Sequence, residues 1–589
     1  MQQRTGLFCA GALLTAVLVL PGCAQDAPTD ENAASTPPAS TAPETAPASA
    51  GEGAHAFSPE IRAEDFAEHV RVLASDEFEG RAPGSAGEEK TVAYIQGQFE
   101  RIGLEPGNNG SWVQTVPMVE TTTAQNTTLT LTHDGETRRL VSGTDMVIGT
   151  RTGRNLVEIE GSELVFVGYG VVAPEQDWND YEGLDVKGKT VVILVNDPGF
   201  HVDDPELFGG ERMTYYGRWT YKFEEAARQG AEAALIVHDD AGAGYGWDVV
   251  KNSWSGAQFD LPAADDPAPR LPAQGWLSAE AANRLFEENG LDFEAQRRAA
   301  SQRDFRPVPL ATTLDLSLRS AIREAKSDNV LGLLRGSTRP DEVVVYMGHW
   351  DHLGKTMVGR NVPGGGTAEI YNGAIDNASG IAGILEIAEA FKNQETPPER
   401  SILFLAVTLE ESGLLGSAYY TANPVFPLAK TVAAINLDAM PVIGRTTDMT
   451  VTGIGSSELE DILKPIAALQ NRVLRGEAET SKGFYFRSDH FNFAKAGVPA
   501  LYAKGGTEHV EGGVEHVRRI QAEYGANRYH KPGDVYEEDW DLSGVVEDLE
   551  ALYAVGRELT GSEALWPNWY PDNPFRAARD ATADQRPAP

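Results

Sequence analysis

Two histidines and several carboxylates recur through the second half of the chain at positions that suit metal-assisted hydrolysis. His349 and Asp351 follow the apolar run 342–348. Asp376 sits in Gly373-Ala374-Ile375-Asp376-Asn377-Ala378-Ser379-Gly380, just ahead of a helical pattern. Glu410-Glu411 follow the run 401–408, Asp438 follows the run 431–437, and His530 lies in Tyr529-His530-Lys531-Pro532-Gly533-Asp534. Nitrogen and oxygen donors without sulfur suit Zn2+ and also accept Mn2+ or Co2+. Two histidines and three carboxylates exceed what one tetrahedral catalytic site takes, but they serve two ions that share a carboxylate. Such a pair, about 3.5–4 Å apart, binds one water and draws its pKa toward neutrality. One of the paired glutamates is then free to act as a general base. Singly, each residue has a plain explanation: paired Glu are usually solvated, and an Asp before Asn-Ala-Ser-Gly can cap a helix. The signal is the ordered set, each member at a strand end or a helix start.

The elements that must position these groups are legible around them. From 313 to 562 apolar runs such as 328–334, 342–348, 401–408, 431–437 and 498–503 alternate with helical patterns at 380–391, 413–420, 458–469 and 488–496. Continuous apolar runs fit strands buried on both faces. Their alternation with helices predicts a doubly wound α/β domain, whose strand carboxyl ends line one crevice. Residues 57–120 open with two helical patterns, 63–73 and 88–102, separated by the turn-rich loop 77–85. Residues 121–312 change character to short β-like runs broken by Gly, Pro and Asp, which predicts an inserted β-rich domain. The catalytic domain is then discontinuous, 57–120 with 313–565. Residues 566–589, containing WPNWYPDNPF, read as a surface-packed or loose tail.

The chain has 589 residues, with 49 Lys+Arg against 87 Asp+Glu, a net charge of −38. That balance argues against nucleic acid as a partner and against docking on anionic lipid. Both cysteines, Cys9 and Cys23, lie near the start, so the body holds no internal disulfide. Residues 1–23 carry Arg4, an apolar stretch and Leu20-Pro21-Gly22-Cys23. This is a signal peptide ending in a lipoprotein box, with lipidation expected at Cys23 and simple secretion as the alternative. Residues 24–56, rich in Ala, Pro, Thr and Ser, read as a disordered tether. Ala24 rather than Asp points to a bacterial cell envelope, at the outer membrane facing the periplasm. The lipid anchor is the one membrane contact expected.

With these motifs the sequence resembles the co-catalytic di-zinc exopeptidases, which include bacterial double-zinc aminopeptidases, plasma glutamate carboxypeptidase and glutamate carboxypeptidase. The residues that carry the resemblance are 348–352, 373–380, 410–417, 436–438, 487–490 and 529–534. The resemblance implies a mixed, mostly parallel sheet and two Zn2+ bridged by Asp376. His349 and Asp438 complete one metal site, and Glu411 and His530 the other. Glu410 is the implied general base. Tyr529, beside a ligand, is placed to hydrogen-bond a tetrahedral oxyanion. The Asp376–Asn377 peptide is often cis in this family. A ligating histidine usually gives its second N–H to an acceptor, so Asp351 is expected behind His349 and Asp534 behind His530. His352 and His490 read as structural, His509 and His516 as solvated, and His201 and His238 carry no role. Residues 217–228 and the strand after them resemble the family's protease-associated insert, which can roof the cleft.

The leading expectation is a metallo-exopeptidase acting on peptides from the amino end, since a carboxylate-rich cleft suits an ammonium group. A carboxypeptidase or dipeptidase is the alternative. It needs a cation for the substrate carboxylate, and Arg487 is the candidate. A non-enzymatic envelope binding module is the third reading.

Overall fold

The computed structural model describes residues 55–124, 127–202, 204–254, 257–266, 268–355 and 369–586. The signal segment, Cys23 and nearly all of the tether lie outside these residues. Ala56–Pro589 form one compact unit.

The catalytic sheet is mixed. Its strands are β1 (Val113–Thr123), β2 (Val308–Leu334), β3 (Arg339–His349), β4 (Arg400–Val407), β5 (Thr431–Asn436) and β6 (Ala500–Gly505). β4, β3, β5 and β6 run parallel in that spatial order, while β2 joins antiparallel to β4 on one side and to β1 on the other. Every residue of β4 and β5 is buried, as continuous apolar runs between two helical layers require. Helices Ala63–Leu73, Ala86–Ile102, Ser379–Asn393 and Ser543–Gly561 cover one face around a core that includes Phe66, Phe99, Ile384, Phe404 and Leu552. The first of these helices matches its expected range, 63–73.

The insert is a second sheet with its own core around Phe166, Leu235, Phe286 and Leu316. Four of its strands are parallel, and helices Trp219–Arg228, Ala279–Glu288 and Phe293–Ala300 pack on it. It is therefore a mixed body, rich in strands and carrying helices as well. The boundaries expected at 120 and 312 fall inside continuous strands. β2 is 27 residues long; its first half pairs in the insert sheet and its second half in the catalytic sheet. β1 and β2 form the ribbon that joins the two bodies.

The tail is firmly packed. Trp569 is buried and donates Nε1–H to the Gly497 carbonyl at 3.0 Å. Arg579 donates to the carbonyls of Thr431 at 2.9 Å and Val432 at 3.0 Å, at the start of β5.

Candidate metal centre

Register puts the chemistry at one edge. In the parallel sheet His349 pairs with Val407, and Met347 with Asn436. Glu410 and Glu411 lie just past the end of β4 and Asp438 just past β5, so all emerge beside His349. Asp376 reaches the same edge from the turn before helix Ser379–Asn393. Gly373 opens that turn at φ +54°, where a Cβ would lie 2.2 Å from the Asp376 carbonyl, so only glycine fits. The Asp376–Asn377 peptide is cis. Asn377 ties the turn to β5: its Oδ1 accepts from Gly380 N at 2.8 Å and Ala439 N at 3.1 Å, and its Nδ2 donates to the Leu437 carbonyl at 3.1 Å.

The side chains converge. Nε2 of His349 lies 3.3 Å from Asp376 Oδ1, 3.6 Å from Asp438 Oδ1 and 4.0 Å from Glu410 Oε2. Nε2 of His530 lies 3.2 Å from Asp376 Oδ2 and 3.3 Å from Glu411 Oε2. Asp376 thus turns one oxygen to each histidine. Ser488 donates to Asp438 Oδ2 at 2.5 Å and accepts from Asn436 Nδ2 at 2.7 Å. Lys504 donates to the carbonyls of Asp438 and Ala439 at 2.8 and 3.1 Å.

Three expected partners are arranged differently. The His349 Nδ1 contact is to the carbonyl of Asp351, at 3.1 Å, while the Asp351 carboxylate stays 3.8 Å away. That carboxylate accepts the backbone N–H groups of Glu410 at 3.1 Å and Glu411 at 3.4 Å. It orients the glutamate pair instead of the imidazole. Asp534 accepts the N–H groups of Ile375 at 3.0 Å and Asp376 at 3.1 Å, so it holds the Asp376 turn and not His530. Arg487 lies over the Phe484 ring, 5.4 Å from its centroid, and makes no ion pair with the cluster among the described residues. Tyr529 is 48% exposed and stacks on the His530 ring at 4.0 Å between centroids.

Sequence reasoning missed His352. Its Nδ1 lies 2.6 Å from Glu411 Oε1, and its ring meets that of His530 edge-on at 5.7 Å. It leaves the other glutamate oxygen facing His530. The spacing of His352, three residues past His349 on an extended segment, carried no helical or strand signal that could place it. His490 is buried and meets the Tyr485 ring edge-on at 4.7 Å between centroids. His509 and His516 stack on each other at 4.3 Å. His201 pairs with Asp239 at 2.6 Å in the insert.

Burial opposes a charged His349, yet Glu410, Asp376 and Asp438 around it hold the imidazole well above its ordinary value. Burial tends to raise Asp376, but hydrogen bonds from His349 and His530 outweigh it and hold the carboxyl well below the usual range. Glu410 goes the other way: burial, reinforced by the charges of Glu411 and Asp438 and opposed by His349, pushes it well above the ordinary glutamate value. Burial lifts Asp351 to about 7 and Asp534 to about 6.

The donor set fits a divalent cation. The ion-pair partners of Asp376, Glu410, Glu411 and Asp438 among the described residues are all histidines. Four buried or nearly buried carboxylates are thus gathered with no lysine or arginine in ion-pair contact with them among the described residues, a concentration of charge that a metal ion relieves. Two groups of three donors, His349–Glu410–Asp438 and His352–Asp376–Glu411, each lie within 4.8 Å of one another. Nitrogen and oxygen donors of this kind suit zinc.

Residues 329–554 match peptidase family M28. The match covers less than half of the chain. The M28 segment spans β2 to helix Ser543–Gly561 and contains every residue of the cluster. Among curated relatives, the mouse (Mus musculus) aminopeptidase NAALADL1 is 32% identical over 22% of this chain and 16% of its own length. A glutamate carboxypeptidase 2 homolog of Caenorhabditis elegans is 30% identical over 33% of this chain and 23% of its own. The chain therefore spans less than a quarter of either relative. An aminopeptidase from Aneurinibacillus sp. strain AM-1 superposes with a TM-score of 0.45 at 19% identity, covering 86% of this chain and 96% of that one.

Proposed function

We propose that this M28 chain is a metal-dependent exopeptidase with two metal ions, hydrolysing peptides from the amino end. The observation that carries the reading is Asp376, whose two oxygens face His349 and His530 at 3.3 and 3.2 Å, with Glu410 beside the first. His349, Asp376 and Asp438 would hold one zinc ion, and His530, Asp376 and Glu411 the other. When bound, the ions supply acidified water and polarise the scissile carbonyl. Glu410, beside His349 and Asp376, takes the proton from the attacking water and passes it to the departing amine. The Tyr529 hydroxyl donates to the developing oxyanion. Asp351 keeps Glu410 and Glu411 in place through their backbone N–H groups, and Asp534 does the same for Asp376. The named relatives include both an aminopeptidase and a carboxypeptidase, so the end attacked is settled by assay: a free-amino anilide against an N-blocked dipeptide. Cleavage of the blocked substrate alone refutes the amino-end assignment.

The insert serves as a protease-associated domain over the cleft, and Cys23 as the lipid-bearing residue that holds the enzyme in the cell envelope. A Cys23→Ser chain that still partitions with membranes excludes that anchor.

The mechanism is tested with Glu410→Gln. Metal analysis should return about two zinc per chain in wild type and variant alike, while turnover falls by about 10²–10⁴-fold. Metal loss in the variant, or retained turnover, removes Glu410 from the base role.

A further inference from the structure

Glu410 and Glu411 lie on a turn bracketed by two leucines in the left-handed region, Leu409 at φ +58° and Leu414 at φ +62°. That conformation is unfavourable for a residue with a Cβ and persists only where the surroundings over-determine it. Backbone bonds close the turn. The N–H groups of Gly413 and Leu414 donate to the Glu410 carbonyl, both at 2.9 Å, that of Leu415 to the Leu409 carbonyl at 3.0 Å, and that of Gly416 to the Thr408 carbonyl at 3.1 Å. Side chains grip both ends. Asn329 Oδ1 accepts from Thr408 N at 3.0 Å, and Asn492 Nδ2 donates to the Leu414 carbonyl at 2.9 Å.

The side chain of Leu409 is seated by other means. It is buried and shares with Leu415 a small apolar cluster, separate from the larger cores, that is completed by Val116 and Met118 of β1 and by Leu261 of the insert. Register brings Leu261 there. The insert strand Ala257–Asp260 pairs antiparallel with β1, Asp260 opposite Val119, so the next residue, Leu261, comes level with Met118. Leu261 is fully buried although it lies past the end of a four-residue strand. Its backbone is pinned by Arg270, whose Nη2 donates to the Leu261 carbonyl at 2.6 Å and to Asp266 at 2.7 Å while Nη1 donates to the Arg151 carbonyl at 2.7 Å. The insert thus delivers one firmly mounted leucine to the seat of the turn that carries Glu410.

We propose that Leu261 is a positioning residue for Glu410: through the cluster it shares with Leu409, the insert holds the turn in the left-handed conformation that aims the general base. This rests on the exopeptidase reading, and it gives the insert a part in the chemistry that needs no contact with substrate. With Leu261 truncated, Leu409 borders a cavity and the unfavourable backbone at Leu409 is less firmly held. Val116 and Met118 remain in the seat, so the positioning weakens and is not abolished.

The test is steady-state kinetics of the zinc-saturated full-length enzyme on a leucine anilide, well below every Tm. Leu261→Ala should lower kcat by about 10- to 100-fold with KM nearly unchanged, and Leu261→Met, which conserves volume, should keep most of kcat. Leu235→Ala, in the insert's own core, should lower Tm at least as far and leave kcat at the wild-type value. An unchanged kcat in Leu261→Ala, or an equal loss in Leu235→Ala, overturns the proposal. Should Leu261→Ala not fold, Leu261→Val takes its place and should show a smaller loss of kcat, again without a rise in KM; a wild-type kcat in that variant overturns the proposal. A second readout is independent of turnover. The Leu415 and Gly416 amides, which close the turn, should exchange with deuterium faster in Leu261→Ala than in wild type, and at the wild-type rate in Leu235→Ala. If wild type cleaves no peptide, the exopeptidase reading fails and exchange alone decides whether Leu261 holds the turn: acceleration confined to Leu261→Ala supports it, and equal rates in all three proteins overturn it.

Discussion

At the scale of single residues, His352 shows how a metal site depends on a side chain that need not hold the metal. Its Nδ1 contact with Glu411 Oε1 at 2.6 Å fixes the carboxylate so that Oε2 faces His530. An unanchored Glu411 would rotate, and partners behind a ligand typically contribute 10–100-fold, about 1.4–3 kcal/mol, to metal affinity. His352→Phe keeps a buried ring and deletes the hydrogen bond. We expect its zinc content after dialysis to fall from about two per chain toward one, with the metal on the His349 side retained. Full zinc retention with normal affinity would show that Glu411 needs no such partner. The metal-facing residues other than His530 were readable in the sequence because each follows an apolar strand or precedes a helix. The hydrogen bonds behind them were not. Asp351 and Asp534 bind backbone N–H groups of segments 59 and 158–159 residues away in the chain, and no local pattern encodes such pairings. The same is true of Arg81, which lay unremarked in a turn-rich loop. It is buried and donates to the carbonyls of Trp350, Leu73, Asn372 and Gly373, clamping together the loops that carry His349 and Asp376.

Among the secondary elements, visibility in the sequence followed burial. Helix Ala63–Leu73 buries Phe66, Val70 and Leu73 on one stripe, and helix Ser379–Asn393 is buried along nearly its whole length; both periodicities were plain. Helix Gly513–Asn527, which leads to His530, buries Val517 alone. With no apolar stripe it read as the end of an acidic loop. The contact between the first two helices named here carries a pH signature. Glu386 lies on helix Ser379–Asn393, accepts the Arg62 N–H at 2.9 Å and faces His69 Nε2 at 3.8 Å. Burial, with Asp65 and Glu389 adding like charge and Arg101 opposing, pushes its carboxyl up to about 8. An unfolded glutamate ionises near pH 4.3. Between that value and about 8 the unfolded chain has lost the proton and the folded one retains it, so stability declines as pH rises through this window. Glu386→Gln is neutral throughout and still accepts from Arg62. Its Tm should match wild type near pH 4 and exceed it by several degrees at pH 8. A Tm difference independent of pH between 4 and 8 would show that Glu386 does not retain its proton in the folded state.

For the molecule as a whole, the sequence shows two bodies but not how they are joined. The change of composition near 121 and 312 is real, yet β1 and β2 run through both positions as an antiparallel ribbon, with Thr123 opposite Ser320 and the pairing continuing to Val113 opposite Val330. The ribbon buries Val116 and Met118 on one face, but threonines and charged residues dominate it around positions 119–123 and 320–328, so hydropathy places a border where the backbone has none. This arrangement gives a direct experiment. Because Thr123 and Ser320 are already partners, replacing residues 124–319 with Asn-Gly converts the ribbon into a two-residue hairpin of the favoured twist. The core around Phe66, Ile384 and Leu552 contains no insert residue, so the shortened chain should fold. It should melt several degrees below wild type, because Phe491 and Tyr485 lose Met213 and Tyr215 from their shared apolar cluster. All the proposed metal ligands and Glu410 remain, so two zinc per chain and cleavage of a free-amino anilide should persist. A shortened enzyme that folds and binds zinc but cleaves nothing would make the insert essential to the chemistry itself.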